Sequence, residues 1–402
     1  MIQLADNKRC TGCFACISVC QHSAISMQPN EEGFLRPIIN TDKCIGCHLC
    51  EKRCPVLHPL NININNQTAY AVISYKDRNL SSSGGAFSLF ARKILNEGGV
   101  VFGASMDGQQ NLRHIPIFSI DDLYKLRGSK YAQSEIGDCF QVIKKLLKER
   151  KKVLFCGTPC QVAGLYSYLN AKYEDLLITL DLVCHGVPSQ LVFKTYLEKL
   201  KISTALSGGN IEEFRFRKLD SWDYRPAVKF SESKWQILEQ EKNVYMEAFF
   251  KGWTYRECCF NCQYANLKRV GTFTIADFWG IGKHGIPFKK NVASGVSLVI
   301  DNHGLMSKRI EDFKQESYIE CRPLDEALHE NHNLTASVKR EPQRDTAVTD
   351  LLNPNVSLLE YAKKYGLLEP KSIRTFFKRF FKNLIYALGL YNTYKSITYK
   401  LK

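Results

Sequence analysis

The chain of 402 residues is 45% hydrophobic and 24% charged, the balance of a soluble globular protein with one large core or two to three smaller ones. No run of about 18 apolar residues offers a membrane span, and the polar start MIQLADNKRC lacks a signal-peptide pattern, so a cytoplasmic location is expected. The formal charge of +15 is uneven, since residues 371–402 carry eight Lys/Arg and no Asp/Glu.

Eight of the sixteen cysteines precede Pro55. Cys10-Thr-Gly-Cys13-Phe-Ala-Cys16-Ile-Ser-Val-Cys20 and Cys44-Ile-Gly-Cys47-His-Leu-Cys50-Glu-Lys-Arg-Cys54 both read C-x2-C-x2-C-x3-C, the spacing of a two-cluster bacterial ferredoxin. Three thiolates two residues apart wrap one 4Fe–4S cubane, and the fourth crosses to the other. One cluster therefore takes Cys10, Cys13, Cys16 and Cys54, and the other Cys44, Cys47, Cys50 and Cys20. Gln21 departs from the pattern, which usually has proline there; Pro55 keeps it in the second copy. Zinc would more often use separated C-x2-C knuckles, and disulfides need an oxidising compartment for which nothing argues. Between the motifs, Ala24–Met27 and Phe34–Ile38 read as a hairpin turning at Asn30–Gly33.

Asn61–Gln67 reads as a polar linker and Tyr70–Ser74 as a strand. A helix follows the loop Ser81–Gly85, with Phe87, Phe90, Ala91, Ile94 and Leu95 on one face, Ser83 as N-cap and Gly98 as the stop. Val100–Gly103, Val153–Phe155 and Leu176–Val183 are further strands, with a helix after Pro159. This alternation predicts an α/β core with a partly parallel sheet. The Ser81–Gly85 loop opening a helix is either a plain turn or an anion site, and Arg127–Ser134 adds cations, hydroxyls and an aromatic suited to a phosphate-bearing ligand with a flat ring. Gly280-Ile-Gly282-Lys-His-Gly285 matches G-x-G-x-x-G but lacks an apolar helix after it, so a nicotinamide fold is not expected there.

Cys160 and Cys184 each follow a strand, and Cys259-Phe-Asn-Cys262 is a chelating pair. Strand ends on one edge of an α/β sheet converge, so these four fit a third cluster; buried free thiols are the alternative. Cys139, Cys156, Cys258 and Cys321 stay outside that assignment.

SSSGGAFS, LRGSKYAQS, VLFCGTPCQVAGL, LDLVCHGVPS and TFTIADFWGI, in this order, resemble the beta subunit of coenzyme F420 hydrogenases and dehydrogenases and the related 7-hydroxymethyl chlorophyll a reductase. The resemblance runs from about Tyr70 to Asn302. It implies FAD and a core 4Fe–4S cluster on Cys160, Cys184, Cys259 and Cys262. It also implies flavin contacts from Ser83, Gly84, Gly85, Ser129, Lys130, Tyr131, Gln133 and Ser134. The expected architecture is an α+β ferredoxin-like module (1–60), a linker (61–68), an α/β flavin and iron–sulfur domain in two parts (69–150 and 151–340) and a basic helical tail (341–402). The expected activity is that of an oxidoreductase with three 4Fe–4S clusters and FAD, exchanging hydride with an organic substrate or a deazaflavin-type coenzyme. The alternative is a non-catalytic electron-transfer subunit. A ferredoxin or partner redox subunit and a small molecule are the expected partners; nucleic acid is not, for want of an interleaved basic and aromatic motif. His185 and Asp277 are the candidate proton donors, with a structural role the stronger reading for each. In the tail, Ile373, Phe377, Phe380, Phe381, Leu384, Leu388 and Tyr391 share one helical side and basic residues most of the other, which suits peripheral contact at the inner face of a membrane, a partner, or packing on the domain itself.

Overall fold

The structure, a computed structural model, describes residues 2–62, 66–170, 173, 175–203, 211–218, 222, 224–231, 234–283 and 286–368. In the N-terminal module, helices α1 (Ala15–Val19) and α2 (Leu49–Lys52) flank the hairpin of β1 (Ile25–Pro29) and β2 (Leu35–Ile39). The hairpin pairs antiparallel from Ile25↔Ile39 to Pro29↔Leu35.

An eight-stranded mixed sheet follows. Its strands are β3 (Thr68–Ser74), β4 (Val100–Met106), β5 (Leu112–Ile117), β6 (Val153–Gly157), β7 (Leu177–Leu182), β11 (Phe273–Asp277), β12 (Ser297–Asp301) and β13 (Ser317–Arg322), in the order β13-β3-β12-β11-β7-β6-β4-β5. The central β4, β6, β7 and β11 are parallel, and the outer pairings are antiparallel. Parallel strands are covered on both faces and therefore read as unbroken apolar runs. Val153 and Phe155 of β6 enter one core with α4 (Cys139–Lys148) and α5 (Pro159–Leu169), while Leu154 enters another with α3 (Ala86–Asn96).

Between β7 and β11 the chain adds α6 (Gln190–Ser203), a small antiparallel sheet of β8 (Ile211–Arg215), β9 (Ala227–Phe230) and β10 (Gln236–Ile237), and α7 (Val244–Phe250). Helices α8 (Met306–Phe313) and α9 (Leu324–Leu328) flank β13, and α10 (Arg344–Leu352) and α11 (Leu358–Lys364) complete the described fold.

Two expectations are corrected. Ser83 does not cap α3: the entry residue is Gly85 at φ 89°, and the Ser83 hydroxyl donates to the Val296 carbonyl at 3.1 Å. Residues 344–364, expected in the tail, pack into the core instead, with Val348, Leu351, Leu358 and Tyr361 buried beside Val192 and Tyr196 of α6. The amphipathic pattern of 371–402 lies outside the described residues, among which no helix is long and apolar enough to cross a membrane. Residues 280–283 form turns, without a following helix; 284 and 285 lie outside the described residues.

The N-terminal module is seated on the α5 side of the large sheet. Ser167 donates to the Arg53 carbonyl at 2.9 Å, Gln263 to the Pro55 carbonyl at 3.0 Å and Gln133 to the Thr11 carbonyl at 2.9 Å. Arg344, almost wholly buried on α10, forks onto the Glu32 carboxylate at the hairpin turn and donates to the Tyr255 carbonyl at 2.6 Å.

Candidate functional site

The two N-terminal loops share one backbone shape, as their repeated motif demands. Gly12 and Phe14 have φ of 65° and 68°, and Gly46 and His48 have 71° and 58°. The left-handed glycine curls each loop, and Phe14 and His48 then open α1 and α2. One small cavity is lined by Cys10, Cys13, Cys16 and Cys54, the other by Cys20, Cys44, Cys47 and Cys50. Among the described residues no group of three or more His, Cys, Asp or Glu side chains is arranged for a single metal ion. A single zinc at Zn–S ~2.3 Å would draw its sulfurs far closer together than a cubane does. Burial pushes the Cys13 thiol up to about 12 and that of Cys16 well above its usual range, with neighbouring thiolates adding repulsion. Thiolates at Cys13 and Cys16 would be favoured there by a bound cationic iron centre, and their protons would be released on binding it. The buried Arg36 Nε in this part of the module has no partner among the described residues, which suits an anionic group held at the Cys10 loop.

The second cysteine set lies below the C-terminal ends of the parallel strands. Thr158 and Gln161 form a capping box that starts α5 at Pro159 and presents Cys160, whose sulfur is 3.1 Å from the Thr158 hydroxyl. Cys184 follows β7, and a 3-10 turn (Glu257–Asn261) carries Cys258 and Cys259 just ahead of Cys262. Burial raises the Cys160 thiol well above its usual range, and charge on Cys184, Cys262 and Cys258 would raise it further. The structure thus brings Cys160, Cys184, Cys259 and Cys262 into one group and adds Cys258, which the sequence reading left outside. Cys258 is held below the usual thiol range by a hydrogen bond with Cys259 and by Arg256 and Arg36. The doublet Cys258-Cys259 was the only signal for it. Tyr264 is close to both Cys160 of this set and Cys13 of the first loop.

A cavity of about 280 Å³ opens beside this set, at the ends of β6, β7 and β11. Ser83, Gly85, Ser129, Lys130, Tyr131, Gln133 and Ser134 line it, as do His185, Asp277, Cys156 and Cys184. Gly84 does not: it is packed against the Val72 carbonyl and Ser297, too close for any side chain. Asp77, buried, holds the guanidinium groups of Arg92 and Arg127, and the Ser82 hydroxyl accepts from the Ser129 N–H at 3.0 Å, tying the two lining segments together.

Lys130 Nζ donates to the Arg127 and Leu126 carbonyls at 2.8 and 3.0 Å, and burial pulls its ammonium down to about 7. His114, which the sequence reading missed, is buried, and its pKa is lowered to about 4 by desolvation. Neutral imidazole bridges the Ser134 hydroxyl and the Cys156 carbonyl, both at 3.0 Å. Asp277 is engaged in structure: Arg217 Nη1 donates to it at 2.7 Å and Trp222 Nε1 at 2.6 Å. Arg217 lies 4.8 Å from the Tyr224 ring centre, and Trp222 stacks on Trp279 at 4.5 Å, so an ion pair framed by aromatics forms one wall. Burial lowers the His185 pKa below its ordinary value, with Asp277 opposing. Cys139 donates to the His114 carbonyl at 3.3 Å, and Cys321 is exposed on β13; neither reaches the second set.

The cysteine loops and the part of the cavity that follows β5 and α4 are matched by known families. Residues 9–57 match the 4Fe-4S dicluster domain, and residues 150–327 match the C terminus of the coenzyme F420 hydrogenase/dehydrogenase beta subunit. Residues 150–327 are thus similar to that beta-subunit family. They contain every cysteine of the second set and, with β6, β7 and β11, the floor of the cavity. An uncharacterized protein of Methanocaldococcus jannaschii, MJ1349, is 23% identical over 248 residues, 54% of this chain and 67% of its own. A chain of the F420-reducing [NiFe] hydrogenase complex from Methanosarcina barkeri aligns at 14% identity with a TM-score of 0.43, over 77% of this chain and 94% of that one. The chain therefore couples a 4Fe–4S dicluster module to a domain of a redox-subunit family, the composition of an electron-transfer oxidoreductase component.

Proposed function

We propose that the protein is an iron–sulfur flavoprotein oxidoreductase that moves electrons between a protein partner and an organic substrate or deazaflavin-type coenzyme. The observation that carries this reading is the order of the sites. The loop of Cys44–Cys50 is at the surface, the set of Cys10, Cys13, Cys16 and Cys54 faces inward, Tyr264 stands between it and Cys160, and Cys184 borders the cavity. Three 4Fe–4S clusters would be held by Cys10, Cys13, Cys16 and Cys54; by Cys20, Cys44, Cys47 and Cys50; and by Cys160, Cys184, Cys259 and Cys262. FAD would be held by the Ser83–Gly85 loop and by Ser129–Ser134. When bound, a flavin supplies hydride exchange on one side and single-electron exchange on the other.

The chain's own residues orient and insulate. The helix start at Ala86 and the Lys130 ammonium favour an anionic group, and the aromatic wall of Tyr131, Tyr224 and Trp279 favours a flat ring. Neutral His114 fixes Ser134 by accepting its hydroxyl proton at Nδ1 and donating from Nε2 to the Cys156 carbonyl. With Asp277 paired to Arg217, His185 is the better placed proton donor on the cavity wall.

Anaerobic purification should give about 12 iron and 12 sulfide per chain, as three cubanes require, and one non-covalent FAD that a suitable donor bleaches without any added subunit. Bleaching that needs a second subunit would favour the electron-transfer-subunit reading, to which the exposed Cys47 loop is suited. Absence of flavin would remove the catalytic reading. For the basic segment 371–402, salt-sensitive co-sedimentation with anionic vesicles, lost on deleting it, tests a membrane role.

A further inference from the structure

The two N-terminal cysteine loops are alike in sequence and backbone but not in surroundings. Around Cys44–Cys50, Ile45 is 66% exposed, Cys47 is exposed, and the space beside Gly46 is open. There His48 Nδ1 is hydrogen-bonded to Glu51, whose carboxylate also accepts from the Gln3 N–H. Around Cys10–Cys16 the loop is buried under two guanidinium groups. Arg256, wholly buried, donates from Nε to the Cys10 carbonyl at 2.8 Å and from Nη2 to the Cys10 sulfur at 3.8 Å and the Leu35 carbonyl at 2.8 Å. Its Nη1 meets Gln133 at 3.0 Å and fills the space that a side chain at Gly12 would need. Arg36, also buried, donates to the same Cys10 carbonyl at 2.8 Å and leaves its Nε without a partner.

Among the described residues neither arginine forms an ion pair with a carboxylate. A buried cation without a counter-charge is costly, so these two require an anion. Cys258 is near both, but the residue to which both donate hydrogen bonds is Cys10, which points to the thiolate-held group there. A 4Fe–4S centre on four thiolates is anionic and becomes more so on reduction, so nearby cations and N–H···S bonds stabilise the reduced state more than the oxidised one.

We infer that Arg256, supported by Arg36, raises the reduction potential of the centre held by Cys10, Cys13, Cys16 and Cys54 above that of the centre held by Cys20, Cys44, Cys47 and Cys50. The inner centre, beside Tyr264 and the core cysteines, then holds the first electron of the pair. Arg256 is a tuning residue here, and the inference rests on the cluster assignment of both loops proposed above.

The test is an anaerobic, EPR-monitored redox titration of the full-length protein, with iron and sulfide measured in every variant. Cys47→Ser removes the outer signal and Cys184→Ser the core signal, which identifies each. In the wild type the inner signal should appear at the higher potential. Arg256→Gln should shift it downward, leave the outer signal in place and narrow the gap; Arg256→Lys, which keeps the charge, should restore most of it. Arg36→Gln should move the same signal in the same direction, and it decides the matter if Arg256→Gln loses iron. A wild type without two ferredoxin-type signals would fail the cluster assignment itself. Two signals whose potentials stay put in both glutamine variants, or that move together, would overturn the role of the arginines.

Discussion

Asp181 and Arg269 hold the second cysteine set in place, and replacing Asp181 by asparagine should break that hold. Both side chains are fully buried. One carboxylate oxygen accepts from Arg269 Nη2 at 2.9 Å and Nε at 3.3 Å, and the other accepts from the Val270 and Gly271 N–H groups at 3.0 and 2.9 Å. Arg269 also donates to the carbonyls of Leu182 on β7 and of Tyr264 just after Cys262, both at 2.8 Å. In Asp181→Asn the amide would offer one acceptor oxygen to two sets of donors, its NH2 would oppose N–H groups, and the guanidinium would lose its counter-charge. Breaking a buried pair from one side costs about 3–5 kcal/mol. Most of that loss should reappear in Asp181→Leu/Arg269→Met, which removes both charges, as stability regained, so the two sites should be strongly non-additive. Denaturant unfolding of the anaerobic protein measures the stability, and iron analysis measures the third cluster, because Cys184 and Cys262 sit at the two ends of this clamp. A loss under about 1 kcal/mol for Asp181→Asn, with iron unchanged, would refute the reasoning.

Gly164→Ala on α5 places a methyl 2.9 Å from Cys13 Cβ and 3.0 Å from its carbonyl oxygen; where alanine normally gains up to about 1 kcal/mol in a helix, overpacking should cost roughly 1–3 kcal/mol and iron at the first loop, and a more stable variant with full iron would contradict the docking. Lys130 carries its charge below about 7 and loses it above, so FAD affinity, followed by flavin fluorescence, should weaken as pH rises through that value; a profile that is flat, or that Lys130→Gln leaves unchanged, would disprove the contact. Cys184→Ser and Cys259→Ser should each lose the core cluster's iron while Cys156→Ser and Cys258→Ser retain it; retention in Cys259→Ser with loss in Cys258→Ser would reassign the fourth ligand.

What the sequence determined by itself is what short-range geometry dictates. The cysteine loops were legible because three ligands two residues apart leave the chain one way to curl, and a glycine in each loop supplies the positive φ. The parallel strands were legible because burial on both faces demands unbroken apolar runs such as Val153–Phe155. Only the tertiary structure decided the rest. Ser83 looked like a helix cap because the local pattern allows it, but its hydroxyl finds the Val296 carbonyl just ahead of β12. Arg217 meets Asp277 from 60 residues away and Arg256 meets Cys10 from 246. Such pairings leave no spacing signature, because each arises only when separate elements pack and a buried charge or donor must find a partner. The same holds for α10 and α11, whose apolar faces at Val348, Leu351, Leu358 and Tyr361 acquire a meaning only against α6.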